Sequence, residues 1–379
     1  MFNSTFSHEP ERTQRSRPRL LLLCLTTVAI LLSLTLVYTI AHALPDAPGW
    51  YDIFADSSQI DSATDVTQVV DSAGLGYDFT PIPENPLLTL ESSDPWDAAG
   101  DPLKMIPGAV HPDVVYFPEG LDGYEFWMVF TPGPEEGSYP PGAPPPPDPN
   151  HDVDYWWERE TVLRSHDGIN WVKTSGYTNP VLSPGAAGEW DSYWHADPDF
   201  VYVPDHGPTG EDWFLYWTGC GPDGCRNGVA VSEDGLNYTK IGPIMPSPTR
   251  CPTVIYDPDT GIFHMWYNWG SYEVGYATST DGVNFTPYNP VNPGQWGYIV
   301  YRATPGTYDQ GGVSHMDVIY HDGQYWMYYL AMPTSSYAGL VVGLATSPDG
   351  INWTQYPEPM LTPSETWSFW GGDTTAVQS

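Results

Sequence analysis

The sequence predicts an all-β protein whose repeating units are the four-stranded antiparallel blades of a β-propeller. The first indication is a nine-residue phrase with the core Ser-x-Asp-Gly-x-Asn, which occurs four times, at residues 165–173, 232–240, 279–287 and 347–355. Repeats at intervals of roughly 45 to 70 residues indicate stacked or radially arranged copies of one unit. The second indication is the Asp-Gly step between apolar or aromatic residues, which is typical of a hairpin with a tight turn.

The composition agrees with many short strands joined by turns. The 379 residues include 17 Trp, 26 Tyr and 12 Phe, with 37 Gly and 41 Pro. The formal net charge of −35 argues against nucleic acid as a partner, because phosphates require a basic surface, and against anionic lipid surfaces. Cations, neutral glycans and basic partners stay open, and solubility or a saline habitat explains the charge equally well.

Each repeat reads as four strands. A short apolar strand comes first and a strongly aromatic strand second, while the third strand enters the Asp-Gly step and the fourth leaves it. The first strands are predicted at residues 111–117, 197–203, 251–256 and 315–320, and the second strands at 124–130, 213–217, 263–267 and 325–330. Four antiparallel strands in a radial repeat are a propeller blade.

A fifth blade is predicted from the two ends of the chain. Residues 371–379 have the pattern of another first strand. Either the sequence is a fragment, or residues 50–88 complete the last blade and close the ring. We therefore expect a five-bladed propeller over residues 77–379, with the acidic segment 44–76 as a possible part of its last blade.

The N-terminal residues predict export. Four arginines between residues 12 and 19 precede an uncharged apolar run at 20–40, and Ala-His-Ala at 41–43 is a small-x-small cleavage pattern. Residues 1–43 are thus a signal peptide or an uncleaved membrane anchor. We expect a secreted or cell-surface protein, a monomer, that meets the membrane only through residues 20–41 if they stay attached.

The cysteines predict one disulfide. Cys220 and Cys225 flank a short loop that two facing strand ends could close, and an exported protein can keep such a bond. A metal site at this pair has less support because no second pair follows it.

Strand parity assigns the loops to two faces. We call face A the side on which the first strands begin, and face B the side with the four repeated phrases. The Ser, Asp and Asn of each phrase are predicted to bond the turn backbone. Face A collects a proline-rich loop at 132–154 and aromatic and acidic residues at 155–160 and 189–195. Aromatic rings and carboxylates around a funnel suit sugar rings, although packing between blades is the alternative for many of the tryptophans.

With these features the chain resembles the five-bladed propeller glycosidases, the arabinanase, invertase and levansucrase superfamily with glycoside hydrolase families 32, 43, 68 and 130. The likeness rests on the first-strand pattern, the aromatic second strand, and the sequences Gly-Tyr-Ala-Thr-Ser-Thr-Asp-Gly at 275–282 and Gly-Leu-Ala-Thr-Ser-Pro-Asp-Gly at 343–350. In the family-43 pattern an acid opens the first strand of each of the first three blades. The matching residues here are His111, Asp197 and Cys251, so only the second acid is present.

The resemblance implies an exported glycan-active protein, with an oligo- or polysaccharide as its partner. Asp197 and Asp113 are the leading catalytic acids, and Glu158 is a substitute for the absent general acid, with Glu160 and Glu273 as further substitutes. No cofactor is required, although His315 resembles a histidine that lies near a central ion in related enzymes, so Ca²⁺ near His315 stays open. The alternative function is a non-catalytic carbohydrate-binding or surface propeller that has lost the general-acid Glu. The residues expected to bind substrate are His111, His195, Asp199, Trp194, Arg226, His315 and Asp317.

Overall fold

The computed structural model describes residues 109–132, 160–172, 180–182, 185–270, 272–335 and 339–362. These residues form four antiparallel sheets of a β-propeller, each built from consecutive strands in the order in which they follow in the chain. The predicted all-β propeller with four-stranded blades is confirmed. The described residues contain no helix that could cross a membrane.

The strands of the four blades follow the predicted order. Blade 1 contains β1 to β4, blade 2 contains β5 to β8, blade 3 contains β9 to β13 and blade 4 contains β14 to β17. Their bounds are β1 Ala109–Leu121, β2 Tyr124–Pro132, β3 Thr161–Ser165, β4 Trp171–Val172, β5 Trp194–Tyr202, β6 Trp213–Gly221, β7 Gly224–Ser232, β8 Thr239–Pro243, β9 Thr249–Asp257, β10 Ile262–Trp269, β11 Glu273–Ser279, β12 Thr286–Pro287, β13 Ile299–Arg302, β14 Gly312–His321, β15 Gln324–Met332, β16 Val341–Ser347 and β17 Thr354–Gln355.

Several expectations fall on other parts of the chain. The segments predicted for a fifth blade, residues 50–88 and 371–379, lie outside the described residues, as do residues 1–43, the proline-rich loop and Glu158. One strand was not predicted at all. β13 adds to β11 beyond the repeat, with Glu273 opposite Arg302.

The core lies between blades, on the aromatic second strands. The largest fully buried side chains include Trp127, Trp213, Trp217 and Trp266. Trp127 and Trp213 of neighbouring blades pack with ring centroids 4.9 Å apart. These tryptophans are therefore packing residues of the core, and their burial leaves no surface for a sugar.

The repeated phrase folds as a wider loop than the predicted tight turn. β3 ends at Ser165 and β4 begins at Trp171, so five residues connect them. In the second copy, the backbone N–H groups of Leu236 and Asn237 donate to Oδ1 of Asp234, and the Asn237 amide donates to Oδ2. The predicted tight turn is part of a longer loop, which the Asp side chain organises through hydrogen bonds to the backbone. The expected bonds from the phrase to its own backbone are present.

The glycine of this loop is required by its surroundings. Gly282 and Gly350 have φ angles of 71° and 70°, a region that other residues enter at a cost. A Cβ at Gly350 would lie 2.7 Å from Trp266, and one at Gly282 would lie 2.6 Å from Phe214. Each of these loops thus packs on an aromatic residue of the preceding blade.

We expect Asp234→Ala to lower the free energy of unfolding by on the order of 1 kcal/mol, because it removes the acceptor of this loop. Urea denaturation measures the change. Glu233→Ala, at the exposed neighbouring position, should have an effect close to zero. A loss of saccharide binding in folded Asp234→Ala would contradict the assignment of the phrase to structure.

The structure pairs Cys220 with Cys225 in a disulfide, with their Cα atoms 4.1 Å apart. The two residues face each other across β6 and β7. Within the described residues Cys251 is the free cysteine, and it is buried.

Candidate functional site

Each first strand carries a bulge at the same place, and the four bulges build the site. The residues at these positions are His111, Asp197, Cys251 and His315, with φ angles of 53°, 54°, 46° and 42°. The pairing register shifts at each of them. A bulge re-aims a side chain, and a non-glycine residue at positive φ costs about 1 kcal/mol or more. The strain recurs in four blades and directs four chemically active side chains to one cavity.

His111, Asp197 and His315 form what we call the upper tier. Oδ1 of Asp197 lies 3.3 Å from Nδ1 of His111 and 3.4 Å from Nε2 of His315. The two imidazole rings stack with centroids 4.6 Å apart and planes 7° from parallel. One potential ligand atom from each residue lies within 4.8 Å of the other two. One carboxylate is therefore held between two imidazoles.

Cys251 lies beside the upper tier. Its Sγ is 3.3 Å from Oδ2 of Asp197 and 3.9 Å from Oγ of Ser314. The backbone N–H of Cys251 donates to Oγ1 of Thr218 at 2.8 Å. All four bulge residues line one cavity of about 40 Å³, and the three acids two residues further along line it as well. This volume exceeds the roughly 10–15 Å³ that one water requires.

The charges of the upper tier are set by its own members. Burial alone would raise the pKa of Asp197, but His111, His315 and the Thr218 hydroxyl hold the pKa of this carboxyl well below its usual range. Burial lowers the pKa of His111 to about 4, against the opposing effect of Asp197. Burial would also lower the pKa of His315, but Cys251 and Asp197 raise it well above its ordinary value. Asp197 is consequently ionised and cannot supply a proton at neutral pH.

Asp113, Asp199 and Asp317 form a lower tier, two residues after the bulges. One carboxylate oxygen of each lies within 4.8 Å of the other two. His111 and Asp113 lie two residues apart and line the same cavity, as strand alternation predicts, but they belong to different tiers.

The lower tier ties neighbouring blades together. The N–H of Phe200 donates to Asp113 at 2.6 Å, and the N–H of Val254 donates to Asp199 at 3.1 Å. Burial and the nearby Asp317 raise the pKa of Asp113 to about 7, and burial with Asp113 and Asp317 raises the pKa of Asp199 well above its ordinary value. The raised pKa values reduce the negative charge of this tier. Asp113 and Asp199 each accept a hydrogen bond from the first strand of the next blade.

His195 belongs to a separate buried network. Its Nδ1 lies 3.2 Å from Oε2 of Glu160 and its Nε2 lies 3.1 Å from Oδ2 of Asp191. Both His195 and Glu160 are fully buried, and Lys240 pairs with Asp191. Burial would lower the pKa of His195, but Glu160 and Asp191 raise it. The predicted contact between His195 and a saccharide does not fit this burial, because carboxylates hold both ring nitrogens.

The upper tier fits a divalent transition-metal ion. The two His–Asp separations, 3.3 and 3.4 Å, lie at the long end for hydrogen bonds, and Nδ1 of His111 also lies 3.1 Å from Oγ1 of Thr131. Two ligand atoms bound at 2.0–2.1 Å to a tetrahedral ion lie about 3.4 Å apart. Ca²⁺ takes about six to eight oxygen ligands, and within the described residues this tier offers one carboxylate, so Ca²⁺ near His315 fits less well.

The chain is similar to carbohydrate-active proteins. No family model matches it. A curated relative, the A type blood N-acetyl-alpha-D-galactosamine deacetylase of Flavonifractor plautii, is 25% identical over 296 residues, which are 67% of this chain and 35% of that protein. The chain thus spans about a third of the length of this relative.

Solved structures agree in fold. An N-acetylgalactosamine deacetylase from F. plautii, in complex with blood group B trisaccharide, has a TM-score of 0.52 at 23% identity and covers 68% of this chain and 71% of its own. A β-1,2-mannobiose phosphorylase from Listeria innocua, in complex with β-1,2-mannobiose, has a TM-score of 0.54 at 15% identity, with 76% and 84% covered. The fold is that of carbohydrate-active β-propellers. The resemblance stated from the sequence is confirmed at this level.

The remaining predicted site residues lie apart from the upper tier or outside the part of the chain that the structure describes. Arg226 stands next to the disulfide and pairs with Asp223 at 3.8 Å. Glu273 pairs with Arg302 at 3.6 Å on the surface. The Trp194 side chain is not among the described ones. From the sequence, Cys251 was only the position of a missing acid. Its place at the start of a first strand, like those of His111, Asp197 and His315, was the signal that it would line the same cavity.

Proposed function

We propose that this protein binds a saccharide at the face A funnel and hydrolyses an N-acyl group of it, with a divalent metal ion held by His111, Asp197 and His315. The observation that carries the proposal is the His–Asp–His arrangement, with its 3.3 and 3.4 Å separations. Imidazole and carboxylate are the common donors of hydrolytic metal sites. The similarity to a deacetylase acting on an N-acetylated sugar supports an amide as the bond cleaved.

The reaction would add water across the C–N bond of the acyl group. The carbonyl carbon gains the hydroxyl of water, the nitrogen leaves with a proton, and the products are a carboxylate and an amino sugar. A metal ion held by His111, Asp197 and His315 would supply Lewis-acid polarisation of the carbonyl. Asp197 stays ionised and supplies negative charge to the tier, and neutral His111 offers a ring nitrogen to the metal ion. The raised pKa of His315 means that metal binding would have to displace a proton from its ring. The funnel orients the sugar above them.

The upper tier does not suit glycosidic cleavage. That reaction usually needs two carboxyl groups across the scissile bond, one of them protonated. Asp197 is the carboxylate of this tier and its pKa is lowered. The second candidate function is nevertheless a glycosidase that uses the lower tier, favoured by the pKa of about 7 at Asp113 and by the three carboxyls within 4.8 Å of one another.

Export remains part of the proposal. The basic and apolar N-terminal residues would carry the propeller out of the cytoplasm, where extracellular glycans are available. The disulfide between Cys220 and Cys225 supports an oxidising compartment.

The test compares two saccharides that differ at one group, an N-acetylgalactosamine-terminated trisaccharide and its galactose-terminated counterpart. We expect the first to release acetate in a reaction that a chelator stops and Zn²⁺ or Co²⁺ restores, and the second to be unchanged. Acetate assay and mass spectrometry of the sugar measure both. New reducing ends without acetate would favour the glycosidase, binding without turnover would favour the non-catalytic alternative, and no binding to a broad glycan array would contradict all three.

A further inference from the structure

Cys251 occupies the fourth position of the bulge ring. It is 5% exposed, and it is not used by the disulfide. The three other bulge residues form the upper tier, whereas Cys251 contacts Asp197 from the side.

The contact divides the two oxygens of Asp197 between two tasks. Oδ1 lies between His111 and His315 at 3.3 and 3.4 Å, while Oδ2 accepts from Sγ of Cys251 at 3.3 Å. The Thr218 hydroxyl also bonds the Asp197 carboxylate. The backbone on both sides of this contact is fixed, since Thr218 accepts from the N–H of Cys251 and the Asp197 position is a bulge at positive φ. A carboxylate held at one oxygen cannot rotate freely about its Cβ–Cγ bond.

We propose that Cys251 is a positioning residue, whose S–H group fixes Oδ2 of Asp197 and thereby presents Oδ1 toward the two imidazoles and a metal ion. This deepens the proposed function and rests on it. Residues that hold a metal ligand by its second atom orient that ligand, and their loss typically lowers metal affinity or activity about 10- to 100-fold. His315 also interacts with the sulfur of Cys251. Ser314, a further neighbour of the sulfur, donates to Asn268 at 3.0 Å and has no such contact with Asp197 among the described interactions.

Three variants test the inference: Cys251→Ala, which removes the donor, Cys251→Ser, which keeps a shorter one, and Ser314→Ala as a neighbouring control. The readout is Zn²⁺ affinity of the full chain by titration calorimetry, with the ligand-field spectrum of Co²⁺ as a second measure of coordination. We expect Cys251→Ala to lower affinity about 10- to 100-fold, Cys251→Ser to lose less, and Ser314→Ala to stay within about threefold of wild type.

The order of the two cysteine variants separates positioning from packing. If Cys251 only filled space, apolar Ala would be tolerated at least as well as Ser in this buried position, so equal affinities or a better Ala variant would overturn the inference. Should Cys251→Ala fail to fold, Cys251→Ser is compared with wild type. An unchanged Zn²⁺ affinity and an unchanged Co²⁺ spectrum in Cys251→Ser would then overturn the inference. Failure of the proposed function looks different: wild type itself would bind neither ion, or acetate release would persist with the metal removed.

Discussion

Asp197→Asn is expected to lower the affinity for Zn²⁺ by at least roughly 100-fold and to reduce acetate release to background. The amide has the size of the carboxylate but not its charge, and it places one neutral oxygen where Asp197 faces both His111 and His315. The fold should persist because the substitution is nearly isosteric, although the free energy of unfolding should fall because a buried carboxylate that pairs with two histidines is lost. Calorimetry with Zn²⁺ and the acetate assay give the two numbers, and thermal unfolding checks the fold.

Asp223→Asn is the matched control. Asp223 is an aspartate in the loop between β6 and β7 with an 81% exposed side chain, so its loss of charge should leave metal affinity unchanged. Undiminished Zn²⁺ affinity in folded Asp197→Asn would remove the metal centre from the proposal.

Asp113→Asn distinguishes the two candidate functions. Asn can still accept the N–H of Phe200, which bonds Asp113 at 2.6 Å, so metal affinity and acetate release should stay close to wild type if the upper tier performs the reaction. Loss of all turnover with intact Zn²⁺ binding would instead favour the lower-tier glycosidase.

Glu160→Gln is expected to lower the free energy of unfolding by about 1.5–3 kcal/mol, because it removes one of the two carboxylate charges that face buried His195 and leaves Asp191 as the other. Glu160 and His195 are both fully buried and 3.2 Å apart. The pair joins the start of β3 in blade 1 to β5 in blade 2, so its loss also loosens the contact between blades. Urea denaturation, with the slope compared to confirm two-state behaviour, measures the change.

The chain contains the same pair on its surface. Glu125 and His166 lie 3.0 Å apart, with side chains 37% and 67% exposed, and exposed pairs contribute about 0–1 kcal/mol. Glu125→Gln should therefore cost less than about 1 kcal/mol. Equal losses of unfolding free energy in Glu160→Gln and Glu125→Gln would contradict the prediction that burial makes the Glu160–His195 pair the stronger one.

The sequence by itself determined the architecture of the described part. The four repeated phrases set the number and order of these blades, and the Asp-Gly-x-Asn residues organise loops through bonds to neighbours two or three residues away. The Cys220–Cys225 pairing is likewise local, across one short loop. Such features are readable because the interacting residues are close in the chain, so their spacing alone carries the information.

The tertiary structure decided what converges at the site. His111 and His315 come from blades 1 and 4 and stack against each other, and no spacing in the sequence fixes the distance between them. Contacts between blades grouped His111 with Asp197 and His315, and Asp113 with Asp199 and Asp317, and burial decided that His195 pairs with Glu160 instead of facing the funnel. The physical reason is that strand periodicity predicts the side of the strand on which a side chain lies, but not its burial or its partners. Where four strained strands meet, direction and burial depend on contacts between residues far apart in the chain.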